Sequence, residues 1–155
     1  ATLLATALDL LSRDDALQAR LRAEPEGVAA FLEDVLRDDG PFQFHYRYAP
    51  QDTSLGGVAI PAGSRVLMMW AAANRPAPGA PDVPADGPQP PHYAFGKGMH
   101  FCIGAPIARL EARIALERLL ARTAAINPVA GDPSTRRPSI FLRRFQRLPL
   151  VLTPA

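Results

Sequence analysis

Seven prolines and two glycines fall between residues 76 and 91, and no regular element can run through such a stretch. Proline has no amide to donate and fixes its own φ, so it breaks both helices and strand ladders. The chain is therefore cut into an amino-terminal part and a carboxy-terminal part, each with its own pattern. Composition leaves two readings of the join open: a linker between domains, or an irregular segment pinned against one folded body. With 155 residues, 48% of them hydrophobic and 21% charged, the chain can bury one ordinary core.

Before the break the period is first helical and then that of a strand. Leu3, Leu4, Leu8, Leu11, Leu17 and Leu21 recur at mostly three- and four-residue intervals, which predicts one or two amphipathic helices over 1–23 joined at Ser12-Arg13-Asp14-Asp15. Pro25 stops this segment. Val28, Phe31, Leu32, Val35 and Leu36 then mark the inner face of a third helix over 28–37, ended by Gly40-Pro41. From Phe42 the period is two: Phe42, Phe44 and Tyr46 alternate with Gln43, His45 and Arg47, a strand with its aromatic face inward. Residues 55–60 and 65–70 are expected to pair as a hairpin across the turn Pro61-Ala62-Gly63-Ser64, with a short helix over 71–75.

After the break, Ile107, Leu110, Ile114, Leu116, Leu119 and Leu120 predict a helix from Pro106 to about Arg122. Short strands separated by turns are expected around Ile140-Phe141-Leu142, Phe145 and Leu150-Val151-Leu152. Seventeen Lys and Arg against fifteen Asp and Glu leave a formal charge of +2 with no basic tract, which argues against nucleic acid. No apolar run reaches the ~18 residues of a spanning helix, so no membrane association is expected, and a cytoplasmic location is.

Cys102 is the single cysteine. It excludes an internal disulfide and a Cys-x-x-Cys knuckle and fits a reducing compartment. Gly96 and Gly98 before it, and Gly104 after it, permit backbone paths and close approaches that side chains block, so the loop can bring the sulfur against a flat ligand. The helix opening at Ala105-Pro106 favours negative charge beside it, which suits a thiolate able to bind a metal. A lone thiolate fits a metal whose other positions are filled by a ready-made cofactor, haem above all.

Four other readings of the cysteine stay open on residues alone. It is a small buried apolar group, a nucleophile served by His100 or His92, or a zinc ligand with those histidines. Otherwise Gly96-Lys97-Gly98 belongs to a phosphate loop.

The run Phe95-Gly96-Lys97-Gly98-Met99-His100-Phe101-Cys102-Ile103-Gly104 resembles the haem-binding signature of the cytochrome P450 family at each of its fixed positions. Ala105-Pro106-Ile107-Ala108-Arg109-Leu110-Glu111 resembles the start of that family's proximal helix in bacterial members. Leu55-Gly56-Gly57-Val58-Ala59-Ile60-Pro61-Ala62-Gly63 is similar to its hairpin, and Ala72-Ala73-Asn74-Arg75 to the segment entering its meander.

The resemblance implies a mainly α fold with small β sheets (α+β), the carboxy-terminal third or so of a family domain, expected to be truncated before the distal oxygen-activating helix. Residues 1–155 would be one partial domain. Its parts are helices to a K-helix-like end over 1–37, a β hairpin region over 42–70, and meander and haem loop over 76–101. The ligand and proximal helix follow over 102–122, and a terminal β region over 123–155.

Further implications concern the site. Cys102 would be the thiolate on haem iron, Arg47 and His100 would hold the haem propionates, and Phe95 would shield the sulfur. Gly96, Gly98 and Gly104 would shape the loop. No residue of this part is assigned to catalysis itself. The activity implied for the complete form is a haem–thiolate monooxygenase that takes dioxygen, a small apolar organic substrate and electrons from a donor protein such as a ferredoxin. The 155 residues alone are expected to be inactive, and the alternatives are an inactive haem-binding remnant or a non-haem interaction module.

Arg109, Arg113 and Lys97 would present a positive face to the donor. Asp34-Val35-Leu36-Arg37 stands where the family has Glu-x-x-Arg, with Glu33 as a possible substitute carboxylate. The arginine that the meander normally adds to this pair is missing from 76–91, which leaves Arg75 or another group to complete it.

Overall fold

The computed structural model describes residues 1–75 and 90–155. The expectations for 76–89 lie outside the described residues. The amino-terminal helical stretch is two helices, α1 (Thr2–Leu11) and α2 (Asp15–Ala23), and the join is where the sequence suggests it. Asp14 makes that join: its carboxylate accepts the Leu17 N–H at 2.8 Å and caps α2. Helix α3 (Gly27–Asp39) buries Val28, Leu32, Val35 and Leu36, and Phe31 packs at the margin.

Helix α5 (Ala105–Arg122) lies against α3, and between them sits the core. Leu11, Leu32, Leu36, Leu116 and Ile126 are each less than 2% exposed, so each leucine contributes about 1.5–3 kcal/mol of burial. Of the apolar positions that mark α5 in the sequence, Leu116 and Leu120 face inward, whereas Ile107, Leu110 and Ile114 stand on the exposed side. The helix begins one residue before Pro106, at Ala105.

Buried Gln18 links three elements. Its amide nitrogen, Nε2, donates to the carbonyls of Leu11 and Ile126, both at 2.8 Å, and its Oε1 accepts the Ile126 N–H at 3.0 Å. A buried polar side chain is tolerable only when it is bonded in this way.

The described strands form four antiparallel pairs. β1 (His45–Tyr48) pairs with β4 (Arg65–Met68), and β2 (Thr53–Leu55) with β3 (Val58–Ile60). β5 (Thr123–Pro128) pairs with β8 (Leu150–Pro154), and β6 (Thr135–Arg136) with β7 (Phe145–Arg147). The short helix α4 (Trp70–Ala73) follows β4. The expected hairpin of 55–60 with 65–70 is therefore corrected. Gly56 and Gly57 both take positive φ, 58° and 81°, the pair of left-handed residues that closes a two-residue hairpin. β2 folds back on β3 at that point, and β4 is released to pair with β1.

The facing of the strand after Pro41 is corrected as well. Phe44 is buried, but Tyr46 and Tyr48 are exposed, while His45 and Arg47 are half-buried on the other face. That face looks into a cleft rather than into solvent, so polar residues occupy it.

Gly40 marks the crossing that brings the chain back after the proline-rich segment. A Cβ there would stand 2.7 Å from the Leu36 carbonyl oxygen and 3.3 Å from Ala94 Cβ. The segment before the cysteine thus runs directly over the end of α3. Its Ala94 joins the core cluster, with Phe95 packed at the edge.

Candidate functional site

A cleft of about 280 Å³ opens where β1, α4 and the cysteine loop meet. It gathers Arg47, Phe95, Gly96, His100 and Cys102 from the sequence-predicted set, and Gly98 and Gly104 do not line it. Pro41, Phe42, His45, Trp70, Ala94 and Lys97 complete its wall. Of these six, Lys97 is expected from the sequence on a donor-facing surface and lines the cleft instead, and the sequence assigns the other five no role at the site. Parity along β1 was the one signal for His45, since it shares a face with Arg47.

The loop is built by turns that need glycine. Gly96 and Gly98 have φ of 74° and 72°, a region that side chains rarely adopt. Gly98–His100 makes one 3-10 turn, and the Cys102 N–H returns to the Phe95 carbonyl at 2.9 Å. This closes the loop and leaves Cys102 exposed. Gly104 differs from the expectation: at φ −81° it is ordinary helical backbone and caps α5. A Cβ there would meet Cys102 Sγ at 3.8 Å, an ordinary contact, so neither φ nor packing within the chain demands glycine at this position.

Several competing readings of the cysteine fail on this geometry. Within this chain the thiol is exposed and lines a cleft, rather than being packed as a buried apolar group. His92 is spent elsewhere, and among the described residues no group of three His, Cys, Asp or Glu could hold a metal ion.

The cleft is chemically two-sided. Phe42, Trp70, Phe95 and Ala94 give it apolar walls, and Arg47, His45, His100 and Lys97 bring donors and cations. Trp70 Nε1–H donates to His45 Nδ1 at 2.7 Å, so the neutral His45 carries its proton on Nε2. Phe42 and Phe141 pack on the same imidazole, with ring centroids 5.2 and 5.6 Å away. A flat apolar ligand that carries carboxylates fits this donor set, with the thiol of Cys102 as the one soft ligand.

Ion pairing around the loop departs from the expected pattern. Asp34 and Arg37 do pair, and Arg37 Nε also donates to the Pro90 carbonyl at 3.1 Å. Glu33 does not substitute in that pair. Its Oε1 accepts from Arg109 Nε at 2.6 Å, and its Oε2 accepts from Arg109 Nη2 at 2.8 Å and from His92 Nε2 at 2.9 Å.

The Arg109 hydrogen bonds hold the Glu33 carboxyl below its ordinary value; burial opposes them and His92 assists. Arg109 also lies over the Phe95 ring, 4.6 Å from its centroid. It is therefore tied down and neutralised rather than free on a donor-facing surface, and Arg113 is drawn toward Glu117 at 3.7 Å. Opposite charges 76 residues apart carry no local signal, which is why the sequence did not reveal this contact.

Residues 10–143 match the sequence model of the Cytochrome P450 family. Cytochrome P450 144 of Mycobacterium tuberculosis is 44% identical over 98% of this chain and 36% of its own length. The 6-deoxyerythronolide B hydroxylase of Saccharopolyspora erythraea is 38% identical over 92% of this chain and 36% of its own. Among solved structures, the substrate-free cytochrome P450 CYP150A6 of Mycobacterium marinum superposes with a TM-score of 0.90 at 33% identity, over 99% of this chain and 41% of that one. The chain thus spans little more than a third of the length of these relatives. The fold is the one expected: helices with small sheets, matching the carboxy-terminal portion of that architecture. Among the described residues no helix is long and apolar enough to cross a membrane.

Proposed function

The chain belongs to the cytochrome P450 family, and from that premise we propose that residues 1–155 form the cofactor-holding part of a haem–thiolate monooxygenase, with Cys102 as the iron ligand. The family implies haem with a thiolate ligand, and Cys102 is the sole cysteine available. One observation carries the reading: the exposed thiol stands in a cleft with apolar walls and cationic groups.

The roles follow from the chemistry of those groups. Arg47 and His100 hold the propionates, as cationic or hydrogen-bonding partners that two carboxylates against protein require. Phe95, half-buried beside the loop, would limit water at the sulfur once haem fills the cleft. Gly96 and Gly98 turn the chain so that Cys102 faces the cleft, and Gly104 opens the proximal helix that follows it. When bound, haem supplies the oxidising chemistry, in which one atom of dioxygen enters an apolar organic substrate and the other leaves as water. The name of the Saccharopolyspora relative, a hydroxylase, accords with this class.

Electrons come from a donor protein such as a ferredoxin, and an unpaired exposed thiol suits the cytoplasm. The 155 residues are taken as one partial domain, with 102–122 carrying the ligand and the proximal helix. They supply no assigned catalytic residue.

Haem titration followed by a carbon monoxide difference spectrum tests the reading. The parent protein is expected to give the red-shifted band of a thiolate ligand, and Cys102→Ala to lose it. Retention of that band in Cys102→Ala removes Cys102 from the ligand role. Arg47→Ala is expected to release haem faster while keeping the band, and equal retention removes Arg47 from the propionate role. A protein that binds haem through Cys102 in its complete form but turns over no substrate is the inactive remnant instead.

A further inference from the structure

One carboxylate beside the cysteine loop gathers more partners than its position on α3 explains. Glu33 is about a third exposed, and it receives three hydrogen bonds from two residues that lie 59 and 76 positions away. Arg109 approaches it with two nitrogens, the paired geometry that a guanidinium makes with a carboxylate. The same guanidinium lies over the Phe95 ring, 4.6 Å from its centroid. His92, its side chain 5% exposed, accepts the Ala94 N–H on Nδ1 at 3.2 Å and faces Glu33 with Nε2. A single neutral tautomer, protonated on Nε2, satisfies both contacts. Beyond these lies the loop itself, since the Phe95 carbonyl receives the Cys102 N–H.

We propose that Glu33, Arg109 and His92 are positioning residues for the cysteine loop. Glu33 clamps Arg109 on Phe95 while cancelling its charge, and His92 fixes the 92–95 segment whose carbonyl holds the Cys102 amide. The unit does two separable things. Geometrically, it pins the ring and the carbonyl from which the loop hangs. Electrostatically, it keeps a cation next to the loop without a net charge, and an uncompensated charge at that place acts on whatever the sulfur binds. The first consequence is independent of the cofactor. The second rests on the haem reading above.

Charge-dissecting variants separate this from simple packing. In the haem-loaded protein, Glu33→Gln leaves an unneutralised cation and is expected to raise the reduction potential. Arg109→Gln leaves an unneutralised carboxylate and is expected to lower it. The double variant is expected to return close to the parent. Amide hydrogen exchange, measured with and without haem, reads the geometry: the Cys102 amide is expected to exchange about tenfold faster or more in Arg109→Gln and in His92→Phe.

Arg109→Lys keeps the charge but loses the two-nitrogen contact with Glu33 and the guanidinium over Phe95, so it should speed exchange without moving the potential. It is also the milder arm if a charge variant folds poorly. Exchange unchanged in Arg109→Lys and His92→Phe, or potentials that move the same way in both charge variants, overturns the proposal. If the parent binds no haem, the haem reading falls, and the exchange measurements still decide this one.

Discussion

The two sides of α5 show what different parts of this chain are for. Toward α3, Ala112, Leu116 and Leu120 close a core with almost no exposed surface. Around its other side and its amino-terminal approach, Met99, Ile103 and Ile107 are 94%, 98% and 62% exposed, and Cys102 is open. The buried side carries stability, and the open side holds the proposed ligand Cys102. Variants on the two sides should therefore fail different assays.

Leu116→Ala is expected to have the largest effect on stability, about 2–5 kcal/mol, because it empties a fully closed site; a denaturant midpoint measures it. Gln18→Leu comes next, at about 1–3 kcal/mol. It takes away the Gln18 bonds to the Ile126 carbonyl and amide inside the core, while the Leu11 carbonyl keeps the Asp14 N–H at 3.1 Å. A Gln18→Leu protein as stable as the parent would mean that the side chain fills space and little more.

Glu33→Gln is expected to matter less, and in a pH-dependent way. The folded carboxyl is held below 4.5 by Arg109, so its contribution is present above that value and is lost as the pH falls through the lower folded value. Solvent screening keeps it small at a partly exposed site. The melting-temperature gap between parent and variant should therefore shrink on acidification, and a constant gap would contradict the ion pair. The smallest change belongs to the open side: Cys102→Ala should alter stability by about 0.5 kcal/mol or less, even though it removes the proposed ligand.

The helices were legible because their burial is periodic and local. Asp14, Pro25 and Gly40 punctuate them in ways that the residue types alone disclose. The strands were harder. Gly56-Gly57 was read as part of a continuing strand, although two adjacent glycines flanked by apolar residues also signal a two-residue turn.

Parity on β1 misled because the sequence cannot say whether the far side of a strand meets water or a cleft. In the candidate site, the cysteine loop was legible from its glycines, and five of its seven predicted residues come together. What the sequence could not reveal was pairing over distance. Glu33 with Arg109, Gln18 with Ile126, and Trp70 with His45 are joined by the fold, and no spacing rule anticipates them.

X-ray absorption at the iron edge of the haem-loaded protein tests the central claim most directly. A sulfur scatterer in the first shell of the parent, gone in Cys102→Ala, is the predicted result. A parent spectrum with no sulfur neighbour, or a sulfur neighbour that survives the substitution, contradicts it.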